Sequence, residues 1–137
     1  MTKAIAILVA RLIFGGAFLL ATSMKFTGMD ATAGYIASIG LPFPLFFAWA
    51  AAVFELGLAL AFFTGAFFAE AAILAIVYVF FLAFAFHGPS RWEENPMEFG
   101  FFIDHFTLIA GLLFAAVHGP GEKLALDWRL SRARRSG

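Results

Sequence analysis

The chain has 137 residues, 63% of them hydrophobic and only 13% charged, with 20 phenylalanines and a formal net charge of zero. Soluble domains carry roughly 25% charged residues, and small ones bury only about 70% of the surface their unfolded chains expose, so water is a poor solvent for this composition and lipid a good one. The absence of cysteine excludes disulfides, thiolate nucleophiles, sulfur-ligated zinc and iron–sulfur centres, and with them the thiol-dependent four-helix membrane oxidoreductases.

The first apolar stretch covers about residues 4–24 and is interrupted by Arg11. Lys3 stands before it as in a signal peptide, but the run exceeds the roughly 7–15 residues of a signal core, so a retained transmembrane helix is expected. Residues 25–43 follow, with Gly28, Asp30, Gly34, Gly40 and Pro42. Within them, residues 31–39 read as a short interfacial helix with Tyr35 and Ile39 on one side. Pro44 suits the first turn of a second membrane helix, about 44–63. Thr64-Gly65 is a very short link to a third, about 66–87, which stops at His87-Gly88-Pro89. The loop 90–100 is polar and acidic, with Arg91, Glu93, Glu94 and Glu98, and Trp92 as an interfacial anchor. A fourth helix, about 101–118, ends at Gly119-Pro120-Gly121. Each long segment approaches the roughly 20 residues that span a hydrocarbon layer. The expected fold is all-α: a four-helix transmembrane bundle over residues 1–118, with the interfacial segment after helix one. A basic amphipathic tail over 119–137 interleaves Leu124, Leu126, Trp128 and Leu130 with basic residues.

Lysine and arginine positions set the expected orientation. Five of the nine basic residues (Lys123, Arg129, Arg132, Arg134 and Arg135) follow Pro120, and Lys3 lies on the same side after an even number of crossings. Lys25 and Arg91 are the basic residues of the opposite side. Both termini are therefore expected in the cytoplasm of a bacterial inner-membrane protein, with the other two loops outside. The basic tail reads as a membrane flank. No recognisable reader motif accompanies it, so nucleic acid is not an expected partner.

Charges inside apolar helices each cost at least about 2.5 kcal/mol at the bilayer centre, so they should face protein or serve function. At about 1.5 Å of rise per residue, Arg11 lies about 10 Å above the inner boundary and Glu55 about 14 Å above it, within one helical turn. An Arg11–Glu55 pair is the expected buried polar site, able either to pin helices together or to hold a quinone head group and relay a proton, with Glu70 as a second possible partner for Arg11. A second cluster is expected near the outer boundary, where His87 ends helix three and His105 lies about one turn inside helix four, with Asp104, Glu98 and Lys25 at the same level. Its readings range from ordinary interfacial polarity through a quinone or substrate site to a histidine-ligated haem or metal. The spacing matches no compact metal motif, and no metal is expected. Small residues at Gly15-Gly16-Ala17, Ala50-Ala51-Ala52, Gly57 with Ala61, and Ala110-Gly111 suit close helix packing.

Several local patterns recur in order. Arg11 precedes Gly15, Lys25-Phe26 ends helix one, and the loop reads Tyr35-Ile36-Ala37-Ser38-Ile39-Gly40-Leu41-Pro42. Glu55-Leu56-Gly57 lies in helix two, and His87 closes helix three. Helix four reads Leu108-Ile109-Ala110-Gly111-Leu112-Leu113, and Gly119-Pro120-Gly121 with Leu126-Asp127 follows. Over nearly the whole chain this set resembles the DoxX family of small bacterial membrane proteins. The resemblance implies a four-helix membrane bundle tied to oxidoreductase function, including thiosulfate–quinone oxidation and membrane oxidoreductase complexes. Where this chain has Asp104-His105, family members often show a lysine–asparagine-like pair.

Two functions follow as expectations. One is a quinone-linked or oxidoreductase-associated membrane subunit, with quinone as the cofactor. The other is a non-catalytic accessory subunit of a larger respiratory or photosynthetic complex. Either places the chain in lipid beside other membrane subunits or further copies of itself.

Overall fold

The computed structural model describes residues 2–126. Trp128, Leu130 and the four arginines of the expected tail lie outside the described residues. The elements are α1 (Lys3–Thr27), α2 (Met29–Ser38), α3 (Pro44–Thr64), α4 (Phe68–His87) and α5 (Met97–His118), with a 3₁₀ turn at Pro89–Arg91. No strand occurs among the described residues. The fold is all-α, as expected, and α1, α3, α4 and α5 are long and apolar enough to cross a membrane. Large apolar side chains such as Leu20, Val53, Val77 and Phe114 stay more than half exposed on these helices, as lipid-facing residues do.

The elements form two compact units, one of residues 2–68 with 120–126 and the other of residues 69–119. In the first, α1 and α3 pack along facing seams. The buried positions of α1 are Arg11, Gly15, Phe18 and Thr22, spaced 4-3-4 as one face of a 3.6-residue helix requires. Those of α3 include Ala48, Ala52, Glu55, Leu58 and Phe62. Their register is antiparallel. Thr22 Oγ1 donates to the Ala52 carbonyl at 2.6 Å, Phe18 stacks on Phe62 with ring centroids 5.7 Å apart, and Gly15 leaves room for Phe63, whose ring would lie 2.8 Å from a Cβ there. Small residues at Gly15, Ala48 and Ala52 let the two backbones approach closely, the device that membrane helices use in place of a hydrophobic driving force.

The short helix between them runs from Met29, two residues earlier than expected, and also packs on α3. Its buried residue is Ile36, while Tyr35 is exposed. Ile39 falls after the last helical residue. Gly65 ends α3 with φ 73°, a left-handed conformation that glycine adopts without a Cβ clash. Ala125 Cβ, Arg11 Nη1 and Pro120 Cβ would all lie within 3.1 Å of a Cβ at this position. Phe67 is also left-handed, φ 51°, which delays the start of α4 to Phe68. Residues 120–126 return across this end of the unit, and the Leu126 amide donates to the Thr64 carbonyl at 2.7 Å.

In the second unit, α4 and α5 face each other through an aromatic ladder. Phe84 meets Phe102 at 5.1 Å and Phe106 at 6.2 Å between ring centroids, and Phe80 meets Phe106 at 6.0 Å. Helix α5 starts at Met97, four residues before the expected 101. Asn95 explains the difference. Its side-chain oxygen accepts from the Met97 amide at 3.1 Å and its carbonyl from the Glu98 amide at 3.0 Å, while Pro96 holds helical φ and ψ.

Candidate functional site

Glu55 is 2% exposed, at the middle of α3. Its expected partner was Arg11; the structure gives it Lys25, whose Nζ lies 2.8 Å from both Oε1 and Oε2. Register explains the correction. Placing the start of α1 and of α3 at opposite membrane boundaries put Arg11 and Glu55 at one depth. The seam contacts instead set Arg11 level with Gly65, ten residues beyond Glu55, or about 15 Å along the axis. Side chains on a helix also lean toward its N-terminus. Arg11 therefore points away from Glu55, whereas Lys25, one turn past Thr22, reaches back toward it.

Arg11 is 1% exposed. Its Nη1 donates to the Pro120 carbonyl at 3.0 Å and its Nη2 to the Leu124 carbonyl at 2.7 Å. The guanidinium stands at the C-terminal end of α3, where unpaired carbonyls concentrate negative potential. Its chemistry here is that of a clamp that holds residues 120–124 against the helix ends.

The second unit holds the other polar cluster. The Gly88-Pro89 stop and the Asn95-Pro96 start turn the chain tightly, so the last residue of α4 faces the first turns of α5. His87 Nδ1 lies 2.5 Å from Glu98 Oε2. The rings of His87 and His105 are 5.0 Å apart between centroids. His105 Nδ1 lies 2.7 Å from the Phe101 carbonyl. Trp92, expected only as an interfacial anchor, donates its Nε1–H to the His87 carbonyl at 2.9 Å and packs against Phe99 and Phe102 at 5.0 and 5.3 Å. Phe101 completes the surround at 5.4 Å from His87. The His87 and Glu98 side chains are 17% and 14% exposed, so the cluster is enclosed yet reachable. Asp104 is exposed, a helical step of about 100° from His105. Lys25 belongs to the first unit, where it serves Glu55.

Of the five cluster residues expected from sequence, the structure thus unites His87, His105 and Glu98 and adds Trp92. The signal for Trp92 was the short span between two helix-breaking prolines, Pro89 and Pro96, which closes the hairpin.

Comparison with known proteins now bears on these residues. The DoxX family model matches residues 6–88. The chain belongs to the DoxX family. This DoxX protein is 30% identical over 131 residues to the inner membrane protein YphA of Escherichia coli (strain K12), an alignment covering 93% of this chain and 91% of that one. No solved structure matches it. The family match takes in Arg11, Lys25, Glu55 and His87 and ends before Glu98 and His105. With its four apolar membrane-length helices, this DoxX protein is an integral membrane protein. Its two polar sites divide along the match: the Lys25–Glu55 pair lies wholly inside it, and the histidine cluster lies half outside.

Proposed function

We propose that this protein is a quinone-binding membrane subunit of an oxidoreductase, set in the bacterial inner membrane with both termini in the cytoplasm. The observation that carries the reading is the pair of imidazoles at the α4–α5 turn, 5.0 Å apart, with Phe101 5.4 Å from His87 and Trp92 bonded to the His87 carbonyl. A quinone presents a flat ring that stacks on aromatic side chains and oxygens that seek hydrogen bonds. An imidazole ring can donate through one nitrogen and accept through the other, and the Glu98 carboxylate orients the His87 ring. In this reading the head group sits against His87 and His105, protons pass through the two rings, and electrons are exchanged with a redox partner protein. Arg11 and the Lys25–Glu55 pair, the other candidate site residues, hold α1, α3 and residues 120–126 together. The basic residues flanking the two termini support the orientation.

The test is gentle purification followed by analysis of bound lipophilic compounds and titration with a short-chain quinone. Bound quinone in the wild type, lost in His105→Phe with helicity intact, is the expected result. Protein that carries no quinone and fails to bind the short-chain analogue overturns the reading and leaves an accessory role in a larger membrane complex.

A further inference from the structure

We infer that residues 122–126 form a membrane-docking strap, which lays Leu124 and Leu126 into the headgroup–acyl boundary of an anionic bilayer and is positioned there by Arg11. The inference is independent of the quinone reading and concerns a different part of the molecule.

The backbone of this segment is fastened inward along its length. Residues 120–126 belong to the α1–α3 unit. Arg11 donates to the carbonyls of Pro120 and Leu124, at 3.0 and 2.7 Å, and the Leu126 amide donates to the Thr64 carbonyl at 2.7 Å. Gly121, φ 75°, passes so close to α1 that a Cβ there would meet Ile7 Cγ2 at 2.9 Å. Ala125 also faces inward, its Cβ 3.0 Å from where a Cβ of Gly65 would stand. The two leucines on either side of it do the opposite: Leu124 is 81% exposed and Leu126 69%. Leu124 holds φ 49°, a left-handed conformation that residues with a Cβ seldom adopt. In it the carbonyl meets the Arg11 guanidinium while the side chain stays in the open.

Depth says what the leucines meet. Helix α3 has 21 residues, about 30 Å of rise, which matches the thickness of the hydrocarbon layer. Its last residue, Thr64, therefore marks the edge of that layer, and the Leu126–Thr64 bond sets the strap at the same edge. Exposed leucines at this level gain by leaving water for acyl chains. Charge selects the lipid. After Pro120 the sequence has five basic residues, beginning with Lys123, against two acidic ones, Glu122 and Asp127. An excess of positive charge beside apolar side chains fits a layer of anionic headgroups. Lys123 is itself exposed next to Leu124, where its stem can follow the apolar layer and its ammonium group reach the phosphates.

The chain has no cysteine, so single-cysteine variants of the full-length protein can each carry one nitroxide. Leu124→Cys and Leu126→Cys report the strap. Val53→Cys, on the exposed side of α3, sets the lipid value, and Glu94→Cys, exposed in the turn before α5, sets the water value. Each labelled protein is placed in nanodiscs of phosphatidylcholine with phosphatidylglycerol, and in discs of phosphatidylcholine alone. Power-saturation electron paramagnetic resonance then reads the ratio of collisions with oxygen, which concentrates among acyl chains, to collisions with a water-soluble nickel chelate. In the anionic discs the ratio at 124 and 126 should be several-fold above that at 94 and approach that at 53; in the neutral discs it should fall toward the value at 94. Arg11→Met and, separately, Gly121→Ala should each release the segment and lower the ratio at 124. Ratios at 124 and 126 equal to that at 94 in the anionic discs overturn the inference, because the leucines then face water. Equal ratios in the two kinds of disc overturn its charge part, and a ratio at 124 unchanged in both Arg11→Met and Gly121→Ala overturns the positioning by Arg11.

Discussion

Replacing Lys25 by methionine tests the α1–α3 seam most directly. Lys25 contacts both oxygens of a carboxylate that is 2% exposed, while its own side chain is 21% exposed. Removing one partner of a buried ion pair costs about 3–5 kcal/mol, because the remaining charge loses its counter-ion in a medium of low polarity. The partial exposure of Lys25 means that solvent already screens part of the attraction, so the low end applies and a loss of about 3 kcal/mol is expected for Lys25→Met. Glu55→Gln should cost less, about 1–2 kcal/mol, because the orphaned ammonium is the exposed member and can turn its head toward the membrane edge.

The asymmetry distinguishes the loss of a counter-ion from a mere loss of packing, since methionine nearly matches the lysine stem in volume. The double variant should be more stable than the two single effects added together by about 2 kcal/mol, the coupling expected of groups in direct contact. Reversible unfolding of the purified protein in mixed micelles, titrated with a denaturing detergent, measures all four proteins. Lys25→Met within 1 kcal/mol of wild type, or single effects that simply add, would refute the claim that this pair is desolvated and mutually dependent.

Three further outcomes are expected. Arg11→Met removes both bonds to the 120–124 carbonyls, so trypsin should cut after the exposed Lys123 several-fold faster than in wild type, read by mass spectrometry; an unchanged rate would mean that the segment is held without Arg11. Gly15→Ala places a Cβ 2.8 Å from the Phe63 ring and should destabilise by about 1–3 kcal/mol as overpacking does, with Phe63→Leu in the same chain recovering most of the loss in the unfolding titration. Gly88→Ala sets a Cβ 2.5 Å from the Phe84 carbonyl oxygen, which as backbone cannot step aside. The turn must shift, the Trp92–His87 bond should break, and tryptophan emission should change while far-ultraviolet circular dichroism stays constant.

The four long helices were legible because hydropathy over about 20 residues reports the solvent directly, and the glycine–proline stop after His87 marks the end of α4. The start of α5 was not legible: Met97-Glu98-Phe99-Gly100 looks like the end of an acidic loop, and the bonds that Asn95 accepts from the Met97 and Glu98 amides draw the chain into the helix there. The pairing of Glu55 was misread for a different reason. Depth arithmetic needs a shared zero, and the zero is set by interdigitation of Phe18 with Phe62 and of Gly15 with Phe63. Hydropathy carries no information on that slip. The 4-3-4-3 spacing of Arg11, Gly15, Phe18, Thr22 and Lys25 was present in the sequence and places both basic residues on one helix face. Which of them meets Glu55 follows only once the register is known.

The membrane makes the remaining polar groups informative. In hydrocarbon every such group needs a partner within the protein, and the cheapest is the carbonyl one turn back on the same helix. Ser23, Thr27, Thr64, Thr107 and His118 all take that solution, bonding to Leu19, Ser23, Leu60, Ile103 and Phe114. A group satisfied within its own turn has no need of a second helix. Thr22, Lys25 with Glu55, and His87 with Glu98 instead bond across elements, and so fix a particular arrangement of two helices. At the histidine cluster each ring commits one nitrogen, beside aromatic side chains, whereas Thr22 has spent its one proton on Ala52 and Lys25 faces the Glu55 carboxylate. Unspent hydrogen-bonding capacity at a reachable place in an apolar medium is costly without a ligand. For that reason the proposed ligand site is placed at His87 and His105, and Lys25 with Glu55 is read as the pair that fixes α1 against α3.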